Sequence, residues 1–269
     1  MNPGNAQKKA KESVLPDEAI YVYCVAEGEG RPRFGQKGLE GSGISGFRFN
    51  DIIVVFQACA PDTIAVEDEG VLKSRVMAHQ KVIELSSSRF GNLLPFGFGR
   101  MITGKDGMTA MENLIAWTEK NYLLLKKKLE NVRGKDEYGV QVFLDADRIA
   151  DEFAESSPEA ARIKDAASRS SEGLAFLYRE KLKKLLSAEL ERRAAEYFSI
   201  FYSRINGLAE EVKVEGVKKS DSGRKMIMNL SCLVIKDNVE PLGRLLEEIE
   251  KDGNLSVRFT GPWPPYSFV

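Results

Sequence analysis

The sequence predicts an α+β protein of two domains, the second ferredoxin-like with an extended helical insertion. Three observations lead there. Short runs rich in β-branched and aromatic residues are interspersed with long helix-forming stretches. A polar joint at 131–137, containing Gly134, separates two halves of different element order. After that joint the order reads β-α-β-β-α-β, the order of a ferredoxin-like unit, with a first helical segment much longer than such a unit needs. The expected division is a disordered tail at 1–18, an α+β domain at 19–134, the ferredoxin-like domain at 135–260 and a proline- and aromatic-rich tail at 261–269.

Residues 20–25 read as the first strand, and a glycine-rich stretch follows at 28–46. The continuous apolar run at 52–58 reads as a buried strand. Glu67, Asp68 and Glu69 then precede a helix at 71–85, where acidic residues suit the positive end of the helix dipole. Leu72, Val76, His79 and Ile83 share one face of it. Residues 92–98 look extended. Thr109 and Glu112 have capping-box spacing at the head of a second helix. Its apolar stripe runs through Met108, Met111, Ile115, Thr118, Tyr122, Leu125, Leu129 and Val132. The stripe is coiled-coil-like, but Thr118 within it and its short length favour a helix packed on its own sheet.

In the second half, 138–144 is a strand. Ser157 and Pro158 open a helical region with an N-cap and a first-turn proline, which runs to about residue 206 with a break at 170–173. Strands follow at 212–217 and 225–235. A helix beginning at Asn238 carries Leu242, Leu245, Leu246 and Ile249 on one face, and a last strand covers 255–259.

Composition narrows the functional classes. The chain has 269 residues, 43% hydrophobic and 29% charged, enough apolar content for a globular core. A formal charge of -1 gives no general drive toward nucleic acid or an anionic membrane. No uncharged apolar run approaches the ~20 residues that span a bilayer, and the polar N-terminus lacks the apolar core of a signal peptide. Cys24, Cys59 and Cys232 are too widely spaced for a zinc knuckle and are expected to be reduced, half-buried fillers in a cytoplasmic protein.

Constellations that look like chemistry have plainer readings. Gly41, Gly43 and Gly46 match G-x-G-x-x-G, but a strand-like stretch at 47–56 follows where a nucleotide site needs a helix N-terminus, so a loop is expected. His79 is the only histidine, and its place on an apolar face suits a packed core residue rather than a catalytic base. Asp145, Asp147 and Asp151 lack the glycine-bearing turn of a calcium loop and read as caps and turn residues. Lys126, Lys127 and Lys128, like Arg192 and Arg193, have acidic neighbours and read as solvated faces. No catalytic residue, cofactor or metal is expected.

The C-terminus is unusual. Gly261-Pro262-Trp263-Pro264-Pro265-Tyr266-Ser267-Phe268-Val269 holds three prolines and three aromatics. If the prolines impose polyproline II, Trp263, Tyr266 and Val269 share an edge at about three residues per turn. Such a tail either folds back to plug the core or offers a preformed docking edge.

Together with Phe259 and Thr260, this tail resembles the ending of the GvpL/GvpF family of gas vesicle proteins. Other pieces fall in the family's order: Tyr21-Val22-Tyr23 resembles its opening strand, and His79 with Val82 and Glu84 its H-x-x-V-x-E helix. Leu94-Pro95-Phe96-Gly97-Phe98-Gly99 resembles its L-P-F-R-F-G segment, and Asn229 with Leu233 and Val234 its N-x-x-F-L-V strand. The resemblance covers 21–269. Cys24 stands where glycine is frequent, Gly97 replaces the usual arginine, and Arg100 follows where threonine is common. Leu233 also departs from the commoner residue.

The resemblance implies a cytoplasmic gas vesicle accessory protein that is not an enzyme. Its implied partners are the hydrophobic shell protein and other gas vesicle proteins, with no nucleic acid and no membrane. The alternatives are a minor structural component of the vesicle shell and a small-molecule-binding ferredoxin-like protein. The candidate partner-binding residues are Pro262, Trp263, Pro264, Pro265, Tyr266 and Phe268 in the tail, with Leu94, Pro95, Phe96 and Phe98 in the earlier motif.

Overall fold

The computed structural model describes residues 19–29, 34, 37–65, 68–218 and 224–269. The tail at 1–18, expected to be disordered, lies outside the described residues, as does part of the glycine-rich stretch. The chain mixes helix with two antiparallel sheets. By contacts it separates into two compact units, one of residues 1–136 with 263–269, the other of 137–262.

In the first unit, β1 (Ala19–Glu27) is the central strand of a sheet ordered β2-β3-β1-β4. β2 (Ser45–Phe49) and β3 (Ile52–Cys59) form a hairpin, and β4 (Leu93–Pro95) and β5 (Met101–Ile102) both pair with β1. The stretch expected as one strand at 47–56 is thus split by a turn, where Asn50 takes a positive φ of 53° that asparagine tolerates. The register of β1 against β3 shifts between Val22 and Cys24. This bulge lets Tyr21, Tyr23, Cys24 and Ala26 all enter one core cluster, while Val22 faces the other side.

Helix α1 (Glu69–Phe90) starts at Asp68, whose carboxylate accepts the Val71 N–H, and covers the first face of β1. Only its C-terminal half is buried, through His79, Val82, Ile83 and Ser86. Leu72 and Val76, expected on the packed face, are exposed because the helix begins before it reaches the sheet. Helix α2 (Ala110–Val132) packs on β1 and β4 and is started by the expected capping box. The Thr109 hydroxyl accepts the Glu112 N–H and the Glu112 carboxylate accepts the Thr109 N–H. Its buried stripe keeps Met111, Thr118, Leu125, Leu129 and Val132, with Leu114 taking the place expected for Ile115. Thr118 is tolerated there because its hydroxyl donates to the Leu114 carbonyl at 2.8 Å.

In the second unit, β6 (Lys135–Asp145), β7 (Glu211–Val214), β8 (Arg224–Ile235) and β9 (Leu255–Trp263) form a sheet ordered β7-β8-β6-β9. Of the aspartates expected as caps and turn residues, Asp145 is a cap: it accepts the Arg148 N–H at the start of α3 (Ala146–Ser156), a helix that the sequence reading did not separate out and that also contains Asp147 and Asp151. α4 (Pro158–Ser168) and α5 (Glu172–Asn206) follow, then α6 (Lys236–Glu250). Val140, Val142 and Leu144 meet Ile149, Phe201, Ile205, Leu242 and Ile249 in one core. α5 is 35 residues long, yet only Ala175, Ala194, Phe201 and Ile205 are buried in it.

Candidate functional site

Two buried polar contacts organise the first unit. Tyr21 and Tyr23 lie on the α1 side of the sheet and need partners for their hydroxyls. The Tyr23 hydroxyl donates to Gln57 Oε1 at 2.5 Å and accepts the Leu39 N–H. Gly38 is required beside this contact, since a Cβ there would lie 2.1 Å from Gln57 Oε1. The Tyr21 hydroxyl lies 2.8 Å from His79 Nδ1 and accepts the Gly99 N–H. His79 Nε2 lies 3.1 Å from the Phe96 carbonyl. A carbonyl only accepts, so Nε2 carries the proton and Nδ1 accepts from Tyr21. Burial holds the His79 pKa down at about 4, so the ring stays neutral near neutrality. Burial also pushes Tyr21 up to about 12.

Through these bonds His79 and Tyr21 hold both ends of the Phe96–Gly99 turn. Leu94 and Pro95 before it are buried. Phe98 turns inward against Tyr21 and His79, with ring centroids 6.1 and 5.9 Å away. Phe96 turns the other way and meets Trp117 of α2 edge to face at 5.8 Å.

The tail departs from the polyproline II expectation. Pro262 and Trp263 continue β9, and Tyr266–Phe268 forms a short 3-10 turn. Tyr266, Trp263 and Val269 therefore do not form a three-residue repeat along one edge. Trp263 and Pro262 are exposed, Pro264 and Tyr266 are half-buried, and Pro265 and Phe268 are buried. Tyr266 donates its hydroxyl to Gln80 Oε1 of α1 at 2.9 Å.

The two motifs meet at a cavity of about 410 Å³. Pro95, Phe96 and Gly97 form one wall, Tyr266 and Val269 another, and Trp117, Leu124 and Leu125 of α2 a third. Val22, Met101 and Ile102 contribute further apolar surface, and Arg100, Asn121 and Lys128 the polar groups. Trp117, Leu124, Arg100 and Lys128 were absent from the sequence-based candidates. For Leu124 the signal was the run Leu123-Leu124-Leu125, in which only Leu125 belongs to the helix's packed face.

Lys126 on the same helix is not part of a solvated face. It donates to Glu27 at 3.0 Å and Asp51 at 2.7 Å, while Arg133 also pairs with Glu27 at 2.6 Å. Hydrogen bonds from Asn92, Lys126 and Arg133 hold the Glu27 pKa down at about 2. Arg192 and Arg193 pair with Glu189, in keeping with the expected charged face. Cys24 and Cys232 are fully buried rather than half-buried, and burial pushes both thiols up to about 12. Gly43 leads into β2 and Gly46 lies within it, so no helix follows the glycines. Among the described residues no cluster of three His, Cys, Asp or Glu side chains could hold a metal ion. No described helix is long and apolar enough to cross a membrane.

Two antiparallel sheets covered by helices, with the cavity placed beside the C-terminal segment, define an α+β protein with the fold of the gas vesicle GvpF proteins. The crystal structure of GvpF from Anabaena sp. PCC7120 superposes with a TM-score of 0.74 at 17% identity, over 93% of this chain and 98% of that one. GvpF from Microcystis aeruginosa gives 0.67 at 18% identity, with the same coverage. The chain belongs to the family described as gas vesicle synthesis protein GvpL/GvpF, whose model matches residues 19–269. Gas vesicle protein L of Haloferax mediterranei is 24% identical over 204 residues, covering 74% of this chain and 62% of that protein's length. Gas vesicle protein F of a Streptomyces species is 25% identical over 206 residues, covering 76% and 81% of the two chains.

Proposed function

We propose that this chain is an accessory protein of gas vesicle formation that works by binding, not by turnover. Its partners in this reading are the hydrophobic shell protein and other gas vesicle proteins, met in the cytoplasm. The observation that carries the reading is the family match along 19–269, which includes both sequence motifs around the cavity. An apolar recess edged by a few polar groups is also the usual form of a binding site. Affinity-tagged protein purified from vesicle-producing cells is expected to carry shell protein or another gas vesicle protein with it. A pull-down free of every gas vesicle protein overturns the assignment.

The second unit is inferred to be ferredoxin-like. Its element order is β-α-β-β-α-β, and the strand order β7-β8-β6-β9 places the first and third strands of the unit at the centre. NMR contacts between backbone amides of β6 and both β8 and β9 check the order; β6 at an edge would reject it.

A further inference from the structure

We propose that the cavity between α2 and the C-terminal segment receives an acidic amphipathic segment of a partner polypeptide, with an apolar side chain inside and carboxylates paired to Arg100 and Lys128. The inference rests on the partner-binding reading above and names the chemistry of one partner surface.

The cavity floor and walls are apolar, and the edge-to-face pair Phe96–Trp117 supplies a rigid aromatic wall of the kind that anchors binding hot spots. Next to it, Leu124 lines the cavity and is still 52% exposed, so the apolar surface reaches the mouth of the recess. A lone exposed leucine is ordinary, but one that also lines a recess extends the area an apolar ligand can cover. The polar side chains of the recess are cationic or neutral. Arg100 and Lys128 have no side-chain hydrogen bond or ion pair with any described residue, whereas Lys126, two positions before Lys128, is engaged by Glu27 and Asp51. The helix therefore uses one lysine to fix itself to the sheet and leaves another at the recess. Two unpaired cations beside an apolar recess complement a ligand that joins apolar groups to carboxylates. The concave shape favours a side chain over a lipid surface, because a bilayer meets a convex amphipathic ridge and does not enter a recess.

The test uses the full chain and two labelled synthetic peptides, one with leucine and glutamate at helical spacing, the other with lysine in place of glutamate. Fluorescence anisotropy is expected to show saturable binding of the glutamate peptide and weaker binding of the lysine peptide. Arg100→Glu and Lys128→Glu should each weaken the glutamate peptide about tenfold, and the double variant should favour the lysine peptide. Both variants should melt like the parent, since neither side chain has a partner to lose among the described residues. Gly97→Leu is an independent variant: a Cβ there meets nothing within 4 Å, so the added side chain narrows the recess without a backbone clash and should also weaken binding. Equal binding of the two peptides, or insensitivity to both charge reversals, overturns the proposal. Binding confined to anionic phosphatidylserine vesicles, and lost in Leu123→Ser, overturns it in favour of a membrane surface. If tagged wild-type and double-variant proteins recover the same gas vesicle proteins from cells, the cavity assignment falls and the function stands. If the peptides behave as expected but no gas vesicle protein is recovered, the function falls and the cavity remains a binding site.

Discussion

At the residue scale, His79 is the clearest case of chemistry used for structure. Its neutral ring donates to Phe96 and accepts from Tyr21, and both bonds fix the turn that forms one wall of the cavity. The sign of its pH dependence follows from the folded pKa of about 4, below the ordinary value of 6.5. Above 6.5 both folded and unfolded states hold a neutral ring, and the group's contribution is constant. As pH falls from 6.5 toward 4 the unfolded state takes up the proton first, so stability declines. By pH 4.5 the loss is expected to be roughly 2–3 kcal/mol at 1.36 kcal/mol per pH unit. His79→Gln should cost about 1–3 kcal/mol at pH 7.5 through the buried hydrogen bonds, and should melt with a flatter pH dependence than the parent. Paired thermal melts at pH 7.5 and 4.5 check this; equal pH slopes in the two proteins would show that His79 is not the responsible group.

At the element scale, the helices and strands with local signals were legible in the sequence. The Thr109–Glu112 box marked the start of α2 to the residue because the capping signal is contained within four positions. Thr109→Ala is accordingly expected to cost about 1 kcal/mol in a denaturant titration, without loss of fold. The bulge in β1 was not legible, because it is defined by a register with β3 and leaves the alternation of residues 20–25 looking regular. Asp145 was legible as a cap, but the helix α3 that it starts was not, because Asp147 and Asp151 suit turns as well and only the packing of Ile149 into the core distinguishes the two. The tail was recognised as special, but its conformation was misread. Proline restricts φ, yet the neighbouring strand extends β9 through Trp263 and the apolar core draws Phe268 in. That division makes a contrast. Phe268→Ala should cost about 3–5 kcal/mol, as large-to-small changes in a core do. Trp263→Ala, at a residue 46% exposed, should leave the melting temperature nearly unchanged. Equal destabilisation by both would reject the assignment of a buried and an exposed aromatic.

At the scale of the whole molecule, contacts divide the chain between Asp136 and Glu137. The sequence shows a local, polar stretch at 131–137. It could not show that residues 263–269 return to the first unit, since that depends on which core Phe268, Pro265 and Tyr266 enter. The discontinuity has a thermodynamic consequence. Residues 137–262 contain all four strands of their sheet, short only of the ends of β6 and β9, and its covering helices, so expressed alone they should melt cooperatively. Residues 1–136 expressed alone lack the last segment, which leaves the surface around Gln80 and the cavity uncovered where Tyr266 and Val269 would lie. This fragment should melt well below the full chain. Adding a synthetic peptide of residues 263–269 should raise its melting temperature in a concentration-dependent way, because a ligand that binds only the folded state stabilises it by RT ln(1 + [L]/Kd). A scrambled peptide of the same composition is the control for generic hydrophobic binding. The closing segment would be shown to be dispensable for the first unit if residues 1–136 melted as high as the full chain, or if the scrambled peptide stabilised them equally. A shift confined to the native peptide, and abolished when its phenylalanine is replaced by alanine, would identify Phe268 as the anchor of the returning segment.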